Sequence, residues 1–331
     1  MSRNDVRFAR SRWALAAISC LGVVLFTIPG HLGLWQLYPF TQLSSMRMLT
    51  ALGIAAGAIC CLLWAVRARR GSLLRPSLVT ALVCLVCVAV VGTSLVRDGA
   101  LRSSQGDDAG MHDLVVMSFN ASETSADDIA DAIRAQDADV TMLVEAPAAI
   151  VTEVSEQVEG TTAFTNEDFA SNRFESVGIV VQNRLGTYEQ VDGPDLQLGS
   201  VAIEGGGHGP AHLTAVHPPP PVQRWAPAAH WRNQVRTSVE WCEDHEEAIV
   251  AGDFNAIADH LNRSGLDRCR SATDDLGLSA HGTWPVKLPG WLGAGIDHQL
   301  SDPLTWTPLT AKIITLGDSD HRAVVVTYRR A

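Results

Sequence analysis

The sequence predicts an α/β domain that follows an N-terminal segment of membrane-spanning helices, and two observations indicate this organisation. Composition changes sharply near residue 97. Residues 1–97 carry ten Arg, no Lys and one acid, whereas the 331-residue chain has a net charge of −11, which leaves −20 for residues 98–331. Beyond residue 113, short apolar strand patterns alternate with helix patterns, as they do in α/β domains.

Three uncharged stretches predict transmembrane helices at about 13–35, 48–66 and 78–96. A helix needs roughly 20 apolar residues to cross the hydrocarbon core, and tryptophans lie near the stretch ends, where indole rings favour the interface. Two alternatives remain: buried helices of a globular core, and a cleaved signal peptide for the first stretch. Two uncharged runs on either side of an Arg-rich loop fit a membrane better than a core.

The distribution of Arg predicts the orientation of these helices. Four Arg precede the first stretch and four lie between the second and third, whereas the loop between the first and second has only Arg47. Because positively charged loops stay cytoplasmic, we expect the N-terminus inside and all residues after Val96 outside. Residues 98–112 are polar and Gly-rich, which predicts a flexible linker to a domain over residues 113–331.

Strands and helices follow one another along this domain. Ser125 and Asp128 form a helix-capping pattern, and Ile129 and Ile133 share one face of the helix that follows. A second helix presents one apolar face, made of Trp231, Val235, Val239 and Cys242. Strands are predicted at 114–118, 140–144, 177–181, 213–216, 248–251 and 323–326.

Polar residues that suit metal-dependent phosphoryl transfer follow these strands. Because strand ends converge at one rim of a sheet sandwich, carboxylates and amides there can meet around Mg²⁺ or Mn²⁺, which prefer oxygen ligands. A His paired with an acid suits charge stabilisation or proton transfer. Each residue alone also has a structural interpretation, as a turn residue or a solvated charge. Only the ordered set of residues indicates metal-dependent phosphoryl transfer. The set is Asn120, Glu145, His217, Asp253, Asn255, Asp297, Asp320 and His321.

This ordered set resembles the motifs of the endonuclease/exonuclease/phosphatase superfamily over residues 113–330. The matching segments are Ser118-Phe-Asn120, Asp139-Val-Thr-Met-Leu-Val-Glu145, the strand ending in His217, Gly252-Asp-Phe-Asn-Ala256, Ile296-Asp297 and Ser319-Asp-His321. The resemblance implies a four-layer α/β sandwich with two packed mixed sheets flanked by helices. The roles it implies are metal binding for Glu145, aided by Asn120 and Asp320; orientation or activation of the attacking water for Asp253; contacts to phosphate oxygens for Asn255 and His217; and charge stabilisation at phosphorus by His321, polarised by Asp297.

A narrower resemblance concerns a membrane-bound branch of this superfamily. The predicted spans, the four prolines after His217 and the segment Gly282-Thr-Trp-Pro285 are similar to the branch that includes the teicoplanin-resistance protein of the vancomycin-resistance J type. For that protein a phosphatase role outside the cytoplasm, on the undecaprenyl pyrophosphate carrier, has been proposed. The resemblance therefore implies a lipid-linked phosphate as the substrate.

The charge of residues 98–331 bears on the substrate class. Their 15 basic and 35 acidic residues disfavour long nucleic acids, which need Lys and Arg against their phosphates, although acidity also serves solubility. Three functions stay open: a phosphatase or pyrophosphatase for a lipid-linked or other small phosphate at the bilayer, an extracytoplasmic nuclease or phosphodiesterase, and a non-catalytic membrane binding module. The oligomeric state is not predicted.

The cysteines fall into two groups. Five lie in the predicted spans, where they serve as small apolar side chains. Cys242 and Cys269 lie in the domain predicted to be outside, where disulfides persist. A bridge between them would enclose Asp253 and Asn255, but Cys242 on an apolar helix face is equally natural as a buried free thiol.

Overall fold

A computed structural model describes residues 33–67, 71–105, 113–166, 172–222 and 227–331, together with a few positions between 13 and 24. The chain divides into two compact units, residues 1–97 and residues 98–331. The described part of the first unit is helical, and the second unit contains two β-sheets.

Besides the helical positions described between residues 13 and 24, the described part of the first unit has three helices with defined bounds. They are Phe40–Ser45 (α1), Arg47–Arg67 (α2) and Gly71–Arg97 (α3), preceded by a short 3-10 turn at Leu34–Gln36. In this part of the chain, the stretch Arg75–Arg97 is long and apolar enough to cross a membrane, and Arg47–Cys60 is apolar but shorter. The prediction of three spans is therefore not confirmed. The second and third predicted spans lie in α2 and α3, and most of the first lies outside the described residues.

The second unit contains two mixed β-sheets. In chain order its strands are Ser104–Gln105 (β1), Leu114–Asn120 (β2), Val140–Val144 (β3), Thr161–Thr165 (β4), Val177–Gln182 (β5), Tyr188–Val191 (β6), Ser200–Gly205 (β7), His212–Val216 (β8), Ala248–Asp253 (β9), Arg270–Ser271 (β10), Asp297–Ser301 (β11), Trp306–Thr315 (β12) and Arg322–Arg330 (β13). The first sheet has the order β1-β12-β13-β2-β3-β5-β4, and the second has the order β10-β11-β9-β8-β7-β6. The pairs β2–β3 and β8–β9 are parallel and the other pairs are antiparallel.

Helices cover the outer faces of these sheets. They are Ala126–Gln136 (α4), Ala148–Gln157 (α5), Ala228–Asp244 (α6) and Ala258–Asn262 (α7), whereas Ala272 of the short helix Ala272–Asp275 (α8) packs in the core between the sheets. Successive residues of a strand point to opposite faces, so that Val116 of β2 packs between the two sheets while Met117 packs against α4 and α5. The second sheet is covered by α6, whose apolar face is buried. The observed architecture is therefore the predicted four-layer sandwich.

Local sequence patterns account for several of these elements. The Ser125 hydroxyl caps α4 by accepting a hydrogen bond from the Asp128 backbone N–H at 3.2 Å, as the capping pattern predicts. Ile129 and Ile133 are buried on that helix. All six predicted strands lie within observed strands. The predicted apolar face of α6 is likewise confirmed, because Trp231, Val235, Val239 and Cys242 are all buried.

Residues 98–105, which the sequence assigned to the start of a linker, pack on the second unit. Strand β1 pairs with β12, with Ser104 opposite Lys312. The Asp98 carbonyl accepts a hydrogen bond from the Ala280 N–H at 3.0 Å, and Ala100 is buried. These contacts make residues 98–105 part of the domain. The rest of the predicted linker, residues 106–112, lies outside the described residues.

A disulfide joins Cys242 at the end of α6 to Cys269, with their Cα atoms 6.2 Å apart. Of the two alternatives that the sequence left open, the structure therefore has the bridge. A loop of this length contributes about 3–4 kcal/mol of stability in the chain-entropy description. Because β9 and Asp253 lie inside the closed loop, the bridge also restrains the segment that carries this carboxylate.

Candidate active site

Strand ends from both sheets bring the candidate residues together. Asn120 is the last residue of β2, and Glu145 directly follows the parallel strand β3. In the second sheet Asp253 ends β9 and pairs in register with Asp297, the first residue of the antiparallel strand β11. His321 directly precedes β13, which runs antiparallel to β2. All five side chains consequently meet at one rim of the sandwich.

The backbone at this rim contains conformations that only a few residue types adopt easily. Gly252 has φ 146°, and an added Cβ would lie 2.1 Å from the Val216 carbonyl oxygen, so that only glycine lets β9 approach β8 here. Glu145 and Asn255 have φ of 53° and 48°. Asn tolerates this left-handed region, but Glu rarely adopts it, at a cost of about 1–2 kcal/mol. Strain of this kind concentrates where a side chain must be aimed at a site.

Asn120 links the carboxylates of the two sheets. Its side-chain amide donates to Glu145 Oε1 at 3.1 Å and to Asp253 Oδ2 at 3.3 Å. Asp253 is also fixed from its other oxygen, which accepts from the Asn255 backbone N–H at 2.8 Å. Asn120 and Asp253 are almost fully buried, so the hydrogen bond between them is shielded from water.

His321 is held between two carboxylates. Its Nδ1 lies 3.0 and 3.2 Å from the two oxygens of Asp297, and its Nε2 lies 3.7 Å from Asp253 Oδ2. Burial lowers the pKa of His321, but the charges of Asp297 and Asp253 outweigh it and raise the pKa to about 10. His321 is therefore an imidazolium at neutral pH, with Nδ1–H donated to Asp297 and Nε2–H directed to the rim.

His217 has the opposite charge state. Its Nδ1 donates to the Phe174 carbonyl at 2.9 Å, and burial lowers its pKa to about 4. The neutral ring then presents the lone pair of Nε2, which lies 3.8 Å from Asp253 Oδ2 and 3.9 Å from Glu145 Oε1. A contact from this nitrogen to a phosphate oxygen, the predicted role, requires that the ring takes up a proton.

The remaining two predicted residues lie at the edge of this group. Asn255 donates through its side chain to the Pro218 carbonyl at 3.0 Å, which leaves its second amide proton for a ligand. The carboxylate of Asp320 is exposed and accepts from the Trp284 indole N–H at 2.8 Å. Asn120 donates to Glu145 and Asp253, and not to Asp320. Of the three predicted metal ligands, the structure thus brings two into contact and places Asp320 beside Trp284.

Two supporting residues had no role in the sequence interpretation. The Thr283 hydroxyl accepts from the backbone N–H groups of Ile296 and Asp297 at 3.0 and 3.2 Å. The Ser319 hydroxyl donates to the Asn120 carbonyl at 2.7 Å and accepts from the His321 N–H at 3.0 Å. Thr283 and Ser319 both lie in motifs recognised in the sequence. Their hydrogen-bond partners are up to 199 residues away, so no local sequence pattern predicts these bonds.

The donor set fits a divalent cation. Burial, reinforced by the charges of Asp297 and Glu145, raises the pKa of Asp253 to about 7, because a negative charge is unfavourable at this buried position beside other carboxylates. A cation beside Glu145 would offset that charge. For Asn120 to add its oxygen, the side-chain amide would have to turn, because its NH2 group faces Glu145 and Asp253 and its oxygen accepts from the Ser122 N–H at 3.3 Å. Asp253, Asp297 and His321 also lie close enough to form a metal cluster. However, protonated His321 has no lone pair to offer, so we favour the Glu145 side.

Comparison of the sequence with known proteins gives two results. Residues 117–321 match the profile of the Endonuclease/Exonuclease/phosphatase family. No curated protein matches the sequence significantly.

Several solved structures resemble the structure of this chain. They include TDP2 from D. rerio humanized by 14 mutations and D. rerio TDP2 complexed with single strand DNA product, each with TM-score 0.51 and 19% identity over 65% of this chain and 98% of that chain. A functionally unknown conserved protein from Enterococcus faecalis V583 has TM-score 0.49 and 11% identity over 66% of this chain and 100% of that chain. At these identities the likeness concerns the fold.

Proposed function

Because this chain belongs to the Endonuclease/Exonuclease/phosphatase family, we propose that it is a membrane-anchored phosphohydrolase that requires Mg²⁺ or Mn²⁺. Its substrate would be a lipid-linked or small phosphate or pyrophosphate outside the cytoplasm, such as undecaprenyl pyrophosphate. The observation that carries the proposal is the buried Asp297–His321 pair, placed 3.7 Å from Asp253. A protonated donor and a carboxylate that face the same space suit the hydrolysis of a phosphate ester.

We propose a separate task for each of these groups. Asp253, with its pKa raised to about 7, accepts the proton of the attacking water near physiological pH. His321 donates from Nε2 to a phosphoryl oxygen, and Asp297 keeps it protonated and oriented. Glu145 and Asn120 would hold the cation, with Asp320 as the third predicted ligand; when bound, the cation supplies positive charge that stabilises the negative charge of the phosphoryl group.

Charge and composition favour a lipid-linked or small phosphate over a long nucleic acid. Residues 98–331 have 15 basic against 35 acidic residues, whereas nucleic acid binding requires a positively charged track. The helix stretch Arg75–Arg97 has a mean hydropathy of 2.6, and only 17% of that apolar window is buried in the chain. A helix that is apolar but not covered by protein suits a bilayer anchor better than a core position.

The disulfide supports a location outside the cytoplasm. Bridges such as Cys242–Cys269 form and persist in oxidising compartments and are rare in the cytosol. The predicted topology leads to the same location, because it places all residues after Val96 outside. The two arguments are independent, since one rests on cysteines of the second unit and the other on arginines of the first.

A substrate panel tests the reaction class. We expect the purified full chain with Mg²⁺ to hydrolyse undecaprenyl pyrophosphate with a kcat/KM at least about tenfold above that for a phosphodiester or plasmid DNA, a difference of roughly 1.4 kcal/mol in transition-state binding. The Asp297→Ala variant, which loses the partner of His321, serves as the inactive control. Faster cleavage of DNA would assign the nuclease alternative. If none of the three substrates is hydrolysed, the non-catalytic binding module remains as the function.

Reporter fusions test the location. We expect alkaline phosphatase fused after Ala331 to be active and a cytosolic reporter at the same position to be inactive, because the domain lies outside in the predicted topology. Fusions after Arg70, in the loop predicted to be cytoplasmic, provide the matched control and should give the reverse pattern. An active cytosolic reporter after Ala331 would contradict the proposed location.

A further inference from the structure

The loop of residues 285–293 exposes apolar and basic side chains beside the candidate active site. It begins after Trp284 and closes where Trp284 pairs with Ala294. Lys287 and Pro289 are exposed, and Trp291 is 37% exposed. Large exposed apolar side chains next to a basic residue are typical of surfaces that contact a partner or a membrane.

The active-site rim holds this loop in place. The Arg322 guanidinium donates to the carbonyls of Val286 and Leu288 at 3.0 and 2.6 Å, and the Asp320 carbonyl accepts from the Val286 N–H at 2.7 Å. Asp320 and Arg322 flank His321 in the sequence. Whatever the loop contacts is therefore brought close to His321.

The same loop lies next to the first residues of the domain. His281 fills the space beside Gly290, where an added Cβ would lie 2.2 Å from its ring, and it also interacts with the backbone of Ala100 and Arg102. Leu101, between those two residues, is 66% exposed. Leu101 is only four residues from Arg97, so that the covalent chain keeps it within about 14 Å of the end of the apolar helix.

The segment that forms the loop has no acidic residue of its own. Although the domain carries 35 acids, residues 276–296 contain none, and the exposed carboxylate of Asp320 contacts this segment at Trp284, whose indole N–H donates to it. Arg102 and Lys287 lie in or beside this region. A loop that exposes Trp and Lys and has no acid of its own, beside the exposed Leu101 and Arg102, complements anionic lipid headgroups.

We propose that Leu101, Lys287, Pro289 and Trp291, which we call the interfacial patch, insert into the headgroup region of an anionic bilayer and hold the active-site rim at the membrane surface. The proposal rests on the membrane anchoring proposed above. It deepens that function by naming the surface through which the domain reaches a substrate embedded in the lipid. The side chains that the patch exposes suit this partner, because Trp favours the interface and Lys pairs with lipid phosphates.

Depth-dependent quenching tests the patch in the full chain. The five cysteines of residues 1–97 are replaced by alanine, except that the anchor control keeps Cys87, and Cys242 and Cys269 remain bridged. A single fluorophore is then attached to Pro289→Cys, to Leu304→Cys as the matched control, or to a retained Cys87 as the anchor control. Leu304 is 82% exposed. It follows the C-terminal end of β11, whereas Asp297 lies at the N-terminal end of that strand. Each protein is reconstituted in phosphatidylcholine–phosphatidylglycerol vesicles with and without lipids that carry a quencher.

We expect at least about twofold quenching at positions 289 and 87, and little at 304, because the patch would lie roughly 5–10 Å into the interface. Adding Lys287→Glu and Trp291→Ser should remove the quenching at 289 and leave it at 87. Quenching at 87 without quenching at 289, or equal quenching at 289 and 304, would overturn the patch and leave the anchor intact. Absence of quenching at 87 would overturn both the patch and the anchor. None of these outcomes depends on catalysis, so failure of the proposed hydrolysis remains distinguishable.

Discussion

Replacing His321 with alanine is expected to lower kcat by about 10²- to 10⁴-fold, the range for loss of a group that transfers a proton or stabilises developing charge. The reason lies in the geometry, because His321 is the protonated donor that faces Asp253 across 3.7 Å. The loss should appear in kcat rather than in KM alone, since the donated bond strengthens as charge develops on the phosphoryl oxygens. Steady-state kinetics on the best substrate of the panel would measure it.

Three further variants sharpen this test. His208→Ala, a change at an exposed histidine outside the site, should retain wild-type kcat. Asp253→Asn should also slow turnover strongly, and the double variant with His321→Ala should lose less than the product of the two effects, because both groups act on one transition state. A His321→Ala enzyme with normal kcat and only a raised KM would show that the residue binds substrate without assisting the reaction.

Glu145→Gln is expected to reduce activity by about 10²-fold or more and to weaken Mn²⁺ binding by at least about tenfold, since even residues around a metal ligand contribute that much. The carboxylate is the proposed principal ligand, and its left-handed backbone, with φ 53°, aims it at the rim. Electron paramagnetic resonance of Mn²⁺ gives the affinity without reference to turnover. Excess chelator should abolish activity in the wild type.

The metal-free protein supplies a second readout for Glu145→Gln. The charge of Glu145 contributes to the raised pKa of Asp253, so its removal relieves repulsion between these two neighbouring carboxylates. The variant should therefore melt at the same temperature as the wild type or higher when both lack metal. Glu153→Gln, an exposed change on α5, is the control that should alter neither metal affinity nor activity. Wild-type Mn²⁺ affinity in Glu145→Gln would place the cation elsewhere, for example among Asp253, Asp297 and His321.

The sequence predicted the central part of the fold because burial dictates it. Strands such as β3 and β9 are continuous apolar runs, as expected where both faces are covered, and their ends were evident from the polar residues that follow. Strands at or near sheet edges were missed. Strand β4 reads Thr-Thr-Ala-Phe-Thr, and β12 contains Pro308 and is only partly buried at residues 307–309, 312 and 314. Such segments resemble loops until a neighbouring strand supplies their hydrogen bonds.

The candidate site divides in the same way. Residues that end apolar strands, such as Asn120 and Asp253, were identified from local pattern and family resemblance together, and the structure brings them into contact. The position of Asp320 beside Trp284 was not predicted, because it depends on a bond across 36 residues. The charge state of His321 was not predicted either, since it follows from the balance between burial and two carboxylates that only the folded chain assembles.

Strand β1 affects the design of a soluble form of the domain. Its two residues cover part of β12, the longest strand, at the border of the seven-stranded sheet. A protein that starts at residue 113 lacks this cover and presents unpaired backbone N–H and C=O groups, to which the edge of another molecule can add. Truncation at residue 98 keeps the border closed and retains Ala100 in its buried position. The eight residues from 98 to 105 therefore protect the isolated domain against self-association.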